Sequence, residues 1–277
     1  MSSIGKLVRK SQATMFWCMQ GLPKAKREAI YTLYAFCKHI DNVVLGNLDK
    51  KEKLELLTAW QKELSNIYDK KVPVTEIGRK IYKNCMRFKI KKEDFSEILN
   101  AALMDFPQSL IAPCYEDFYR YCYGNAEIPV YITLSIMGIF DEITRRELSK
   151  SFGRAMFITD ILKDVKEDAV SGHLYFPKEL LLKADILTNE PLNAVTDKNL
   201  VSVREQLARN TAADFTKAFE ILQKADKKTT RPLRFILHIY KRYFDIMQNR
   251  GWEIISPKPV IKTKDKLAIV YKVFFDK

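Results

Sequence analysis

The sequence predicts an all-α fold, a single-domain helical bundle, and three observations carry that prediction. Apolar residues recur at helical spacing along most of the 277 residues. Glycine and proline number only 9 and 10, too few for a strand-and-turn fold and well suited to long helices joined by short loops. Hydrophobic residues make up 47% of the chain, enough to fill an interior at this length.

The first helix is expected over Pro23–Val44. Ile30, Leu33, Tyr34, Cys37 and Val44 mark its apolar stripe, Pro23 suits a first turn, and Gly46-Asn47 supplies the stop. Lys50–Tyr68 follows, with Leu54, Leu57, Trp60, Leu64 and Ile67 on one face. Further helical patterns cover roughly 74–88, 91–104, 115–139, 142–170, 197–224 and 228–250. Breaks fall at Lys71-Val72-Pro73, Phe106-Pro107, Ala112-Pro113, Ser171-Gly172 and Leu187–Ala194. No long linker or internal repeat divides the chain. One domain is expected over 1–277, with the tail beyond Trp252 (about 253–277) less regular.

Composition narrows the function classes. Cys18, Cys37, Cys85, Cys114 and Cys122 are odd in number and scattered, a pattern of reduced core residues rather than a disulfide frame or zinc site. The basic amino terminus lacks the apolar run of a signal peptide, and no stretch reaches the ~18 apolar residues of a membrane span. A soluble, cytoplasmic protein is expected, with peripheral contact at a membrane surface compatible with the charge. That charge is +13, which favours anionic partners: nucleic acid, anionic lipid or phosphorylated substrates. The lysines are dispersed and no nucleic-acid-binding signature accompanies them, so nucleic acid is set aside.

The informative segment is Phe152–Ala169. At ~100° per residue, with Asp160 at zero, Asp164 falls at about 40°, Asp168 at about 80° and Glu167 at about −20°. Met156, Phe157, Ile158, Ile161, Leu162 and Val165 occupy the rest of the circumference, with Arg154, Lys163 and Lys166 left to meet water. A helix apolar nearly all round is normally buried, so these carboxylates do not form an ordinary solvated face. Aligned carboxylates repel, and holding them ionised inside a protein requires compensating charge. Mg²⁺ supplies it, completing its shell with waters and substrate phosphates. The bland alternative is an acidic stripe paired with lysines. Asp41, four residues after Cys37 and seven after Tyr34, is read as lying on the apolar stripe of its own helix. A hydrogen-bonded core group and a metal ligand account for it equally well.

The run Gly153–Pro177, GRAMFITDILKDVKEDAVSGHLYFP, resembles the second aspartate-rich motif of the squalene and phytoene synthases. Leu22–Asn42 is similar to the first-motif helix of that family, and Tyr121-Cys122-Tyr123-Gly124 to its Tyr-Cys segment. The similarity extends to Arg231-Pro232 and Arg250-Gly251-Trp252, and is nearest to the bacterial presqualene diphosphate synthases. The resemblance implies a bundle of the isoprenoid synthase type with a central cavity. It implies a prenyltransferase that joins two prenyl diphosphates, farnesyl diphosphate foremost, head-to-head with Mg²⁺ assisting departure of diphosphate. Asp164 and Asp168 would be second-motif metal ligands, with Asp160 beside them, and Asp41 the first-motif ligand. Lys38 and Lys163 would contact diphosphate, Tyr121 would sit near the reacting carbons, and Tyr175 beside the second motif. No Gly-rich dinucleotide fingerprint is present, which neither indicates nor excludes NADPH, since the family does not bind it through one.

Three positions depart from the family pattern. Leu45 stands where a second first-motif carboxylate is expected, one turn after Asp41; Asn42 replaces an Asp; and Glu127 stands where the family keeps glycine. These departures support an alternative, a non-catalytic member acting as a binding or respiratory-complex assembly factor. The intact Asp160/Asp164/Asp168 stripe supports the enzyme.

Overall fold

The computed structural model describes residues 18–106 and 110–275, and among these no β-strand occurs. The helices are α1 (Lys24–Leu45), α2 (Lys50–Ser65), α3 (Glu76–Lys80), α4 (Lys92–Met104), α5 (Tyr115–Cys122), α6 (Ile128–Met137), α7 (Glu142–Lys163), α8 (Val165–Val170), α9 (Lys178–Lys183), α10 (Pro191–Thr196), α11 (Leu200–Gln223), α12 (Lys227–Arg250) and α13 (Thr263–Phe275). Packing gathers the chain into two compact units, Met1–Pro107 with Tyr123–Ser149, and Gln108–Cys122 with Lys150–Lys277.

In the first unit, α1 starts directly after Pro23 and stops before Gly46, as the punctuation predicts. Of its expected stripe, Ile30, Leu33 and Val44 are buried, together with Ala29, Phe36, Ile40 and Val43, whereas Tyr34 and Cys37 are only half-buried. Phe36 decides the register: its ring meets Trp60 at 5.1 Å and Phe95 at 5.2 Å, both edge-on, and so draws this face inward. Asp41, one residue past Ile40, is therefore exposed rather than interior. Asp49 accepts from the Glu52 amide and Glu52 from the Asp49 amide, a capping box that opens α2. The buried Glu63 carboxylate accepts from the Val74 and Thr75 amides and from the Thr75 hydroxyl, ordering the turn before α3. Gly124 lies in a π-turn, Tyr123–Glu127, that interrupts the expected 115–139 helix. A Cβ at 124 would come within 2.4 Å of the Ala101 side chain and 2.5 Å of the Glu97 carbonyl, so only glycine lets this turn approach α4.

In the second unit, α11 and α12 pack through Phe215 and Phe244, whose rings lie 5.4 Å apart, and Trp252 joins them 5.5 Å from Phe244. The expected helix over 142–170 is broken at Asp164, whose φ of −101° and ψ of 15° separate α7 from α8. The tail read as less regular is so only over 251–262, beyond which α13 forms and packs Ile269 and Val273 against Phe235, Ile239 and Tyr243 of α12.

Candidate active site

The three carboxylates of the stripe project from the end of α7 and the start of α8. From Ser151 to Val165 no residue is exposed, which bears out the expectation of a buried helix over that stretch, whereas Lys166 and Glu167 of the expected stripe region are exposed. The i, i+4 backbone bonds persist across the break: the Asp164 amide donates to the Asp160 carbonyl (2.8 Å) and the Asp168 amide to the Asp164 carbonyl (2.9 Å). The carboxylates therefore stay in helical succession although α7 and α8 are separate elements.

Two lysines and a tyrosine surround them. Lys163 Nζ donates to Asp160 and lies 3.4 Å from Asp164 Oδ2. Tyr240 of α12 donates its hydroxyl to Asp160 Oδ2 at 3.1 Å. Lys258 Nζ lies 2.6 Å from Asp164 Oδ1 and 3.3 Å from Glu167. Sequence reasoning missed Tyr240 and Lys258, whose relation to the stripe exists only after folding. Burial would lower the Lys163 ammonium, but Asp160 and Asp164 outweigh it and hold it above its usual range. Burial raises the Asp160 carboxyl, against the pull of Lys163, and raises the Tyr240 phenol well above its ordinary value, so the phenol remains a donor.

Arg204 fixes this arrangement from behind. It is buried on α11 and donates to the carbonyls of Leu162 (3.0 Å), Ile254 (3.3 Å) and Trp252. One guanidinium thereby ties the end of α7 to the 252–258 loop that brings Lys258 to Asp164.

Aromatic rings stand beside the carboxylates. The Ile111–Leu174 bridge, with Ala112 donating to the Leu174 carbonyl (2.7 Å), holds the segment that carries Tyr175, whose ring meets Tyr121 near the end of α5. Tyr121 and Tyr175 stack at 5.5 Å, His173 stacks on Tyr175 at 5.3 Å, and Phe157 lies 5.7 Å from Tyr121. The His173 amide donates to the Asp168 carbonyl, joining this row to the acidic stripe. Tyr121 and Tyr175 thus meet as a pair; Phe157 and His173 complete the row without having been singled out.

In the first unit, Asp41 and Lys38 share a turn of α1. Asp41 has accessible surface yet lies among crowded protein atoms, and this desolvation, reinforced by Asp105 and opposed by Lys38, raises its carboxyl. Leu45, one turn further, is 59% exposed and offers no ligand. Glu127 is buried. Asp49 is committed to capping α2.

The donor set of the stripe suits a hard divalent cation. Asp164 Oδ1 is buried and meets the Lys258 ammonium at 2.6 Å. Burial, then the Asp164 charge, pushes the Asp168 carboxyl up to about 7, and Lys163 and Lys258 are two cations against the three carboxylates of the stripe. Among the described residues, no three carboxylate, histidine or cysteine side chains form a ready-made cage. Mg²⁺ needs none, since it takes one or two carboxylates and keeps waters and phosphates for the rest.

A family model described as squalene/phytoene synthase matches residues 8–264. The chain belongs to the squalene/phytoene synthase family. This is a family of enzymes, and its fold is the isoprenoid synthase fold. Presqualene diphosphate synthases of Rhodopseudomonas palustris and Sinorhizobium fredii are 28% and 27% identical to it. The alignments cover 93% and 92% of this chain, and 91% and 90% of those proteins. Among solved structures, a dehydrosqualene synthase superposes with a TM-score of 0.80 at 21% identity, covering 98% of this chain and 93% of that one. A squalene synthase from Alicyclobacillus acidocaldarius gives 0.78 at 19%, with 90% and 93% covered. The acidic stripe and the Tyr121/Tyr175 pair both lie within the span matched by the squalene/phytoene synthase model.

Proposed function

We propose that the protein joins two prenyl diphosphates, farnesyl diphosphate foremost, head-to-head to presqualene diphosphate or a close relative. The observation that carries this reading is the stripe Asp160/Asp164/Asp168, which sets three carboxylates against two lysines and is joined through His173 to an aromatic row. Asp164 and Asp168 are the proposed Mg²⁺ ligands of the second motif, and Asp41 that of the first. When bound, Mg²⁺ acts as a Lewis acid on the diphosphate leaving group.

The chain's own residues do the remaining work. Lys163 and Lys258 offer cationic donors to diphosphate oxygens, and Lys38 is the proposed contact of the first motif. Asp160, held by Tyr240 and Lys163, orients the Lys163 ammonium. Tyr121, Tyr175 and Phe157 present π-faces that stabilise an allylic cation and exclude the water that would quench it. The double bond of the second prenyl diphosphate then captures that cation, and the new cation closes the cyclopropane ring by losing a proton, with inorganic diphosphate and that proton as the departing groups.

Incubation with radiolabelled farnesyl diphosphate and Mg²⁺, with and without NADPH, tests this reading. Mg²⁺-dependent release of diphosphate with a presqualene diphosphate product is expected, and Asp164→Ala should abolish it. Leu45 favours the competing reading, a non-catalytic binding or assembly factor. Absence of release with Mg²⁺ or Mn²⁺ across prenyl chain lengths would overturn the enzymatic reading in its favour.

A further inference from the structure

Helix α12 meets the acidic stripe with one side only. Tyr240 turns to Asp160, and His238, two residues earlier, falls about 200° away on the opposite side. Arg234, Lys241, Arg242 and Asp245 lie within about 60° of His238 and make one charged face of the helix. This face looks into two adjoining hollows among α11, α12 and α13, of about 500 and 690 Å³, which share Phe219, His238 and Lys272 in their walls. Ile269 lines the first and Val273 the second, and the Phe219 ring lies 4.8 Å from that of His238. Lys241 Nζ donates to Asp245, and Arg242 lies 3.2 Å from Asp265, so those two carboxylates are matched. Among the described residues lining the cleft, Lys227, Arg234 and Lys272 then stand against Glu220 alone. Arg234 donates through Nε and Nη2 to Thr230 and to the Leu222 and Ala225 carbonyls, all neutral acceptors. The half-buried His238 imidazole feels burial first and then Lys272, Arg234 and Lys241, all of which disfavour its charged form.

We propose that this cleft binds a small phosphate-bearing solute, with Lys272, Arg234 and Lys241 meeting its oxygens and Phe219, Ile269 and Val273 its carbon skeleton. Charged donors brought together from two helices over a concave, partly apolar floor are what such a molecule requires. A bound phosphate also supplies the negative charge that the cations around His238 lack. An extended anionic surface fits less well, because Glu220, Asp245 and Asp265 share the walls and would face it.

Calorimetric titration of the Mg²⁺-free protein with inorganic diphosphate tests the proposal, and its outcome is independent of the catalytic reading. Binding is expected, weakened roughly tenfold or more by Lys272→Glu and unchanged by Lys258→Met, whose lysine belongs to the acidic stripe. Lys272 is exposed, and an unchanged melting curve establishes that its variant is folded. NMR of the wild-type protein supplies a second readout that leaves the cleft cations in place. Bound diphosphate favours the imidazolium, so His238 should titrate at a higher pH with diphosphate than without. Its signal is identified among those of the three histidines by its loss in His238→Phe. Absence of binding would overturn the proposal, as would a His238 titration that diphosphate leaves unmoved. Binding lost in Lys258→Met but kept in Lys272→Glu would overturn it too, by placing the anion at the stripe.

Discussion

Lys258 reaches Asp164 from a distant part of the chain and places its ammonium 2.6 Å from Oδ1, a buried carboxylate oxygen. The carboxylate at the centre of the stripe thus depends on a loop for its nearest cation. Replacing Lys258 by Met should destabilise the Mg²⁺-free protein by about 1 kcal/mol, the scale of a partly exposed pair. Added Mg²⁺ should restore more stability to the variant than to the wild type. Thermal melts with and without Mg²⁺ check this, and equal Mg²⁺ responses would count against it.

Asp168 makes stability depend on pH in the direction opposite to an ordinary surface carboxylate. Its folded-state value of about 7 lies above that of an unfolded chain, so its favourable contribution is complete below about pH 4 and is lost as pH rises to 7. Asp168→Asn removes that loss. Without Mg²⁺ the variant should gain about 2 kcal/mol over the wild type at pH 8, roughly half the full linkage value because the side chain is partly solvated. Urea midpoints at pH 5 and pH 8 test it, with the larger gain expected at pH 8.

Arg204 presents a different liability, since its removal leaves buried carbonyls without donors. Arg204→Met is expected to cost on the order of 3 kcal/mol, and Arg204→Lys less, because an ammonium satisfies part of the set. Hydrogen exchange should locate the damage in the 252–258 loop. Uniform loss of protection over the whole chain would show that Arg204 has no specific hold on that loop.

His238 titrates the other way from Asp168. Burial, then Lys272, Arg234 and Lys241, lower its imidazole to about 4, while its ring lies 4.8 Å from Phe219. The folded state holds the neutral form, so this stability is present above about pH 6.5 and disappears as pH falls toward 4. His238→Phe should therefore be relatively more stable at pH 4.5 than at pH 7.5, by about 1 kcal/mol once partial exposure is allowed for. Parallel slopes of wild type and variant across that range would refute it.

The parts of this molecule legible beforehand are those with local causes. Pro23 and Gly46 delimit α1, and the apolar circumference of 152–169 announces a buried helix with misplaced carboxylates. The break at Asp164 left no such mark: neither glycine nor proline stands there, and the i, i+4 spacing of the carboxylates survives it. Asp41 was misplaced because Tyr34 and Cys37 form as good an apolar series on paper as Leu33, Phe36 and Ile40. Only the volume of the Phe36 ring between Trp60 and Phe95 separates the two. Tyr240, Lys258 and Arg204 act through contacts between remote segments, which no local pattern encodes. Helix α13 escaped notice because its apolar residues face two directions and so blur a single stripe.

The interruption at Asp164 divides mechanical responsibility within the stripe. Asp160 is seated on a long helix that Arg204 holds at its end, while Asp168 belongs to a short one with its own attachments. In an unbroken helix the three carboxylates could only move as one rigid comb. Here the i, i+4 amide bonds span the break, so the outer two carboxylates keep helical succession while being held by different elements.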